Sequence, residues 1–266
     1  MKIPAIFVPA IALAAWLACL SSQALAASGP PAPAWDVNLG VGVALRPTFE
    51  GSDRYAVRPL PLIGIRWHDM IAFGEGGLSA YWHRRNFRIG GGLTFDPGRD
   101  DRGSGGVFGS GDDRLAGLGK IDTSLGLRAF ASTRIGLFDF DVSAVKYTGR
   151  QDHGVVMNLG LSAPLRLGKK LTVMPHLRAS WADDNYTQSY FGVTAAQASA
   201  SIFPRFNAGA GFKDVRGGVA ITYRFNRHWY VGADASVTRL LGAAAASPIS
   251  IADTSALLVT TLGYRF

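Results

Sequence analysis

From residue 35 onward this chain alternates: apolar side chains recur at every second position, in one stretch after another, up to its last residue. A period of two is the mark of a strand with unlike faces, because successive side chains of a strand point to opposite sides. Trp35, Val37, Leu39, Val41, Val43 and Leu45 alternate with Asp36, Asn38, Gly40, Gly42, Ala44 and Arg46. The same pattern returns in Leu125, Leu127, Ala129, Ala131 and Ile135, in Val155, Met157, Leu159 and Leu161, in Leu171, Val173, Leu177, Ala179 and Trp181, and in Val219, Ile221, Tyr223 and Phe225. Hydrophobic residues make up 48% of the chain. Yet after residue 26 no apolar run approaches the ~20 residues of a membrane-spanning helix, and no 3.6-residue period is sustained. Apolar residues dispersed in alternation, over runs of about 9–11 residues, fit strands that face lipid on one side and a polar lumen on the other.

The expected fold is therefore all-β: a transmembrane antiparallel up-and-down barrel over residues 35–266. Lipid offers no hydrogen-bond partners, so the sheet must close on itself. The final strand is the most specific segment. Ala256, Leu258, Thr260, Leu262, Tyr264 and Phe266 share one face, and an aromatic end on such a strand resembles the signal, here Tyr264 and Phe266, that the outer-membrane assembly machinery reads. Trp35, Trp67, Trp181, Tyr223, Phe225, Trp229 and Phe266 fall at strand ends, where interfacial aromatic girdles form.

Loop lengths give the strand count. Short turns are expected at His68-Asp69, Gly136-Leu137, Leu167–Lys170 and Asn226–His228, and longer segments at 47–56, 97–119, 148–153, 182–213 and 240–254. The two classes alternate if both termini are periplasmic and if 69–83 is two strands broken near Glu75-Gly76-Gly77, the first at 70–74. That reading gives twelve strands; a single strand over 69–83 disturbs the alternation, and ten strands is the alternative. Pro59 and Pro61 sit on the outward parity of the second strand, where missing donors suggest a local bulge.

The amino terminus has a basic residue, Lys2, an apolar run from Ile3 to Leu20, and Ala24-Leu25-Ala26. This is the order of a secretory signal peptide cut after Ala26, preferred over a membrane anchor or lipidation at Cys19. Residues 27–34 then form a short periplasmic segment. Cys19 is the one cysteine, so the exported chain holds no disulfide, thiolate nucleophile or thiolate metal site. Export by a Sec-type route would place the chain in the outer membrane of a Gram-negative bacterium.

By parity Arg58, Arg66, Arg88, Arg128, Arg134, Arg178, Arg224 and Arg265 point inward, as do Arg46, Asp36, Asp139, Asp141 and Asp234. Two readings stand: an anion-preferring channel lining, or interior salt bridges that plug a narrow barrel, the latter preferred. The formal net charge of +8 also suits contact with acidic lipopolysaccharide and murein. Neither nucleic-acid binding nor a cofactor is expected. None of the five histidines, His68, His83, His153, His176 and His228, forms a metal-binding pair at helical spacing. Asp183-Asp184-Asn185 lacks the ligand spacing of a calcium loop, and the glycines around Gly105-Gly106 lack a phosphate-cradling lysine. His176 and Ser180 share the inward face of one strand, which leaves a barrel lipid hydrolase as a minor alternative to a chain without enzymatic activity.

Several stretches resemble the MipA/OmpV family of outer-membrane proteins. They are Glu50-Gly51-Ser52-Asp53-Arg54-Tyr55 with Arg58-Pro59-Leu60-Pro61-Leu62, Leu115-Ala116-Gly117-Leu118-Gly119, Tyr190-Phe191-Gly192-Val193, Thr238-Arg239-Leu240-Leu241-Gly242, and the closing Gly263-Tyr264-Arg265-Phe266. The resemblance implies an outer-membrane barrel. One branch of that family is described as a scaffold joining a lytic transglycosylase to a bifunctional murein synthase; others are described as surface antigens or adhesins. No catalytic residues come with it. The expectation is a non-enzymatic scaffold, with a small channel or a surface structural barrel as the alternative. Glu50, Ser52, Asp53, Tyr55, Tyr190, Phe191 and Gly192 are then candidate outer-loop contacts, and the last three could instead fold into the barrel mouth.

Overall fold

The computed structural model describes residues 34–74, 76–103, 109–148 and 154–266. The expected signal peptide, most of the 27–34 segment, Gly105-Gly106 and His153 lie outside them. The strands are β1 (Trp35–Pro47), β2 (Tyr55–Trp67), β3 (Ile71–Gly74), β4 (Gly77–Arg84), β5 (Phe87–Asp96) and β6 (Ser124–Ile135). They continue as β7 (Phe138–Thr148), β8 (Val155–Ser162, resuming as Leu165–Leu167), β9 (Leu171–Ala182), β10 (Gly211–Arg224), β11 (Trp229–Leu240) and β12 (Thr254–Arg265). Both segments of β8 pair with β9, so the ladder has twelve staves. Pro164 has no donor and interrupts β8, while the Ala163 N–H keeps the seam by donating to the Pro175 carbonyl at 3.0 Å. Each strand pairs antiparallel with its sequence neighbours, and β1 pairs with β12 from Leu45↔Leu258 to Asn38↔Arg265, which closes the barrel.

The region 69–83 is two strands. Its first is four residues long, because Met70 is drawn into the turn by a bond from its N–H to the Trp67 carbonyl. The barrel has unlike ends. One carries tight turns: His68 and Asp69 take φ of 48° and 51°, and Arg85 takes 52°, the left-handed geometry of two-residue hairpins. Both ends of the barrel sequence lie there, with the Phe266 N–H donating to the Val37 carbonyl. The other end carries the segments 48–54, 97–123 and 183–210, and 241–253. Among the described residues three short α-helices occur in these loops, α1 (Asp184–Phe191), α2 (Ala195–Ala200) and α3 (Gly242–Ala246), besides one tighter helical turn at Asp113–Leu115. They are too brief to leave a 3.6-residue pattern in the sequence.

Parity sorts the side chains. Val41, Val57, Leu127 and Leu159 are 55–68% exposed on the outer face, as befits a lipid-facing belt. Aromatic residues crowd the turn end of that belt, with Trp35 and Trp67 at 6.2 Å, Trp229 and Tyr264 at 5.1 Å, and Tyr264 and Phe266 at 4.9 Å. Trp181 stands apart at the loop end. Inside, one arc is apolar: Ala44, Leu60, Leu62, Leu257 and Val259 form a buried cluster across β12, β1 and β2.

The bulge expected at Pro59 and Pro61 is absent. The β1–β2 register runs unbroken from Trp35↔Trp67 to Pro47↔Tyr55. Bonds to β1 fall on the even residues of β2, as shown by His68 N–H to the Ala34 carbonyl and Thr48 N–H to the Arg54 carbonyl. Odd residues therefore point toward β3, which reaches only as far as Ile65. The two prolines stand on an edge without a strand partner, where they remove donors that lipid could not satisfy. The register shift instead falls between β9 and β10, where Ser180↔Asp214 is followed by Trp181↔Phe212. Lys213 is the extra residue, so it and Asp214 are both buried.

Replacing both prolines (Pro59→Ala with Pro61→Ala) restores two unpaired donors at this edge. The urea midpoint of the folded barrel is expected to fall by the equivalent of about 1–3 kcal/mol per donor. An unchanged midpoint would contradict the edge assignment.

Candidate functional site

The lumen near the turn end is knitted by ion pairs between facing strands. Arg134 and Asp139 are directly opposed on β6 and β7 and make a bidentate fork at 2.5 and 2.6 Å. Asp36 accepts two bonds from Arg265 at 3.0 and 2.7 Å, and lies 4.0 Å from Arg66, its partner in register on β2. Such forks are the strong, orienting form of the arginine–carboxylate pair. Farther in, Arg178 reaches Asp141 at 3.9 Å across the intervening strand β8. Gly160 lies between them, and a Cβ there would meet the Asp141 carboxylate. Arg88 lies over the Tyr81 ring at 4.6 Å and Arg128 over Phe130 at 5.0 Å. Arg58 is buried against the apolar arc, and Arg224 is exposed where β10 ends.

His176 and Asp234 form a buried pair, Nε2 to Oδ2, at 2.8 Å. Gly218 sits between His176 and Ser236 in register and gives both room. Ser180 bonds instead to Asn158 at 3.1 Å and Asp214 at 3.0 Å. His176 and Ser180 are four residues apart on one strand, roughly 13 Å at the usual rise. The two residues singled out as a hydrolytic couple thus belong to separate polar clusters. Among the described residues no group of three His, Cys, Asp or Glu is placed to hold a metal.

The loop end is occupied by a second core that parity could not reveal. Phe49 from the β1–β2 loop, Leu115 and Leu118 from the β5–β6 loop, Val193 and Phe203 from the β9–β10 loop, and Ile249 from the β11–β12 loop pack together, buried. In a twelve-stranded ring the β5–β6 loop rises opposite the β11–β12 loop, so Leu115 and Leu118 reach across the mouth to meet Phe49 and Ile249. An adjoining cluster adds Tyr186, Tyr190, Phe191 and Ala244 to Ile121, Val156 and Ala182. Inward-facing Arg46 ties the lumen to this cap by donating to the Gly109 carbonyl at 2.9 Å.

The candidate loop contacts are the stitching of the cap. Glu50 takes an ion pair at 2.7 Å from Lys213, which also holds Asp214 at 2.7 Å. Gly51 has φ of 91°, a value that favours glycine, and its carbonyl accepts the N–H groups of Ile251 and Ala252 at 2.8 and 2.9 Å. Ser52 is fully buried and receives Arg114 Nη2 at 3.0 Å. Asp53 meets Arg114 Nη1 at 2.6 Å. The Tyr55 hydroxyl accepts the Ala256 N–H at 2.8 Å. Tyr190 stacks on Tyr186 at 4.6 Å, and its carbonyl accepts Arg99 Nη1 at 2.6 Å. Phe191 is wholly buried, and a side chain on Gly192 would collide with Gln188. Ser52, Tyr190, Phe191 and Gly192 are buried as internal braces between loops, whereas Glu50, Asp53 and Tyr55 make their bonds while remaining exposed.

Charge fixes the cap as well. The Arg114 guanidinium holds the Asp53 carboxyl below the usual range. Burial works to raise Asp112, but the Arg114 N–H and guanidinium and the Thr48 hydroxyl outweigh it, and its carboxyl too is held low. Burial draws Arg99 down to about 10, so it stays charged at neutral pH. Arg114→Ala leaves the Asp112 carboxylate, 4% exposed, without its main partner; the segment 97–123 is expected to be cut faster by trypsin, and cleavage at the parent rate would contradict this. Because both carboxyls have lowered values in the folded cap, their stabilisation is complete above the ordinary range near ~4 and is lost as pH falls through the lowered values. Amide exchange in 97–123 should therefore be flat from neutral pH down to that range, after correction for intrinsic rates, and rise below it.

A closed antiparallel barrel with an apolar exterior, a charged interior and a loop-built cap is a protein of the outer-membrane β-barrel type. The family model described as "MltA-interacting protein MipA" matches residues 39–266, and the chain belongs to that family. No curated protein matches it significantly. Among solved structures it is similar to the KdgM porin (9% identity, 86% of this chain and 99% of that one, TM-score 0.46). It is also similar to a loop-deleted OmpT of Vibrio cholerae (9%, 87% and 98%, 0.39) and to Salmonella typhi OmpF in complex with daunomycin (10%, 87% and 97%, 0.38). At these scores the architecture rests on the strand register alone.

Proposed function

We propose that this protein is a non-enzymatic scaffold of the outer membrane in a Gram-negative envelope, with its turn end in the periplasm, and that it holds murein-remodelling enzymes at that membrane. It would arrive by Sec-type export with cleavage near Ala26, and the last strand with Tyr264 and Phe266 would serve the assembly machinery. The orientation follows the general rule that barrels keep short turns on the periplasmic side. The family description names an interaction with MltA, and that kind of partner is carried over here.

One observation favours this reading over a channel: the core of Phe49, Leu115, Leu118, Val193, Phe203 and Ile249 draws the β5–β6 loop across the barrel mouth. Loops packed against one another across the mouth narrow the path that conduction needs. The same bracing buries the Tyr190–Gly192 motif, which weakens an adhesin reading built on it, while Glu50, Asp53 and Tyr55 stay exposed.

The experiment is an affinity capture from detergent extracts of the native envelope on the immobilised, refolded barrel. Salt-resistant enrichment of a lytic transglycosylase together with a murein synthase is the expected result. Recovery of abundant envelope proteins alone would remove the scaffold role.

A further inference from the structure

The two ends of the barrel handle charge differently. At the loop end acidic and basic side chains are interleaved and many pair: Asp53 and Asp112 with Arg114, Glu50 and Asp214 with Lys213, Lys120 with Asp122, Arg239 with Asp253. Arg102 and Arg205 are exposed there too, but the same loops also carry Asp100, Asp101, Asp113, Asp183 and Asp184. At the turn end the acids are fully engaged. Asp36 is held by Arg265 and Arg66, Asp139 by Arg134, and Asp69 by Arg66, His83 and the Tyr81 hydroxyl. Beyond them stand Arg85, Arg166, Lys169, Lys170, Arg224 and Arg227, all exposed, with no acidic partner among the described residues.

Their placement says where the charge is aimed. Arg166 lies opposite Thr172, and Arg224 opposite Tyr230, both on the inward face. These two arginines edge the mouth. Arg85, Lys169, Lys170 and Arg227 occupy turn tips past the aromatic belt. The positive field therefore projects along the axis into water more than sideways into lipid. The β2–β3 and β6–β7 turns carry Met70 and Leu137, each 53% exposed. Separated cations interspersed with apolar tips, and arginine and methionine among them, make up the composition of a protein-docking surface; a polyanion layer would need only the cations.

We propose that the turn end is the docking face of this barrel and that its partner presents an acidic protein surface. The partner's nature rests on the scaffold reading above, while the identity of the face does not. Opposite charges across such a face steer encounter and raise the on-rate in low salt.

The test uses the whole barrel in nanodiscs of zwitterionic phosphatidylcholine, with fluorescein-labelled poly-L-glutamate as the probe, followed by anisotropy against salt. A variant combining Arg85→Gln, Lys169→Gln, Lys170→Gln and Arg227→Gln is expected to bind about tenfold more weakly, with a shallower salt dependence. A loop-end variant combining Arg102→Gln, Lys120→Gln, Arg205→Gln and Arg239→Gln should bind like the parent. So should Arg85→Lys with Arg227→Lys, which keeps the charge and controls for folding of the turns. Parent-like binding by the turn variant, or weakened binding by the loop-end variant, overturns the proposal. Loss of probe binding when phosphatidylglycerol replaces part of the phosphatidylcholine would assign the cations to lipid headgroups and overturn it as well. Envelope capture separates the two ideas: capture that survives in the turn variant sinks the docking face and leaves the scaffold, whereas empty capture with charge-dependent probe binding sinks the scaffold and leaves the face.

Discussion

Everything in this fold follows from one constraint: in lipid a backbone N–H or carbonyl has no water to turn to. Closure of β1 on β12 answers it for the ring as a whole. The local irregularities answer it piece by piece. Where β3 stops short of pairing along β2, Pro59 and Pro61 take away donors that would otherwise face hydrocarbon. Where Pro164 interrupts β8, the neighbouring Ala163 still bonds across to β9. Where β10 takes an extra residue, the bulge turns Lys213 and Asp214 inward together, and Lys213 pairs with both Asp214 and Glu50.

The ring frees the loops from carrying the fold, and the loops have built a second core of their own. Phe49, Leu115, Val193 and Ile249 come from four loops distant in sequence. They are held in register by polar braces such as Arg114 to Asp53, 61 residues apart, and Lys213 to Glu50, 163 residues apart. The barrel thus has a packed, charge-compensated end and an end whose positive charge is left for something outside the molecule. That asymmetry, more than any single residue, distinguishes the two ends of the barrel.

The strand pattern was legible because a period of two reads directly as inside and outside. It placed Arg134 and Asp139 on one face, and the register then set them opposite each other. It failed where the period breaks. Lys213 has outward parity and lies inside only because of the bulge. Leu60 and Leu62 lie inside although they are apolar, since an inner arc against Leu257 and Val259 is large enough to pack dry. The loop motifs were conspicuous, but their meaning was hidden. Ser52 looks like a turn residue until Arg114 is brought to it from 62 residues away, and contacts of that range leave no trace in local spacing. His176 next to Ser180 suggested a couple, whereas the partner that matters, Asp234, is 58 residues away on β11.

The central claim is that the loop core seals the barrel. Conductance of the purified protein across a planar lipid bilayer tests it most directly. The account predicts a membrane that stays at its lipid baseline after insertion, at any applied voltage short of breakdown. Stable unit steps of conductance from the unmodified protein would show a continuous aqueous path past Phe49, Leu115, Val193 and Ile249, and would contradict it.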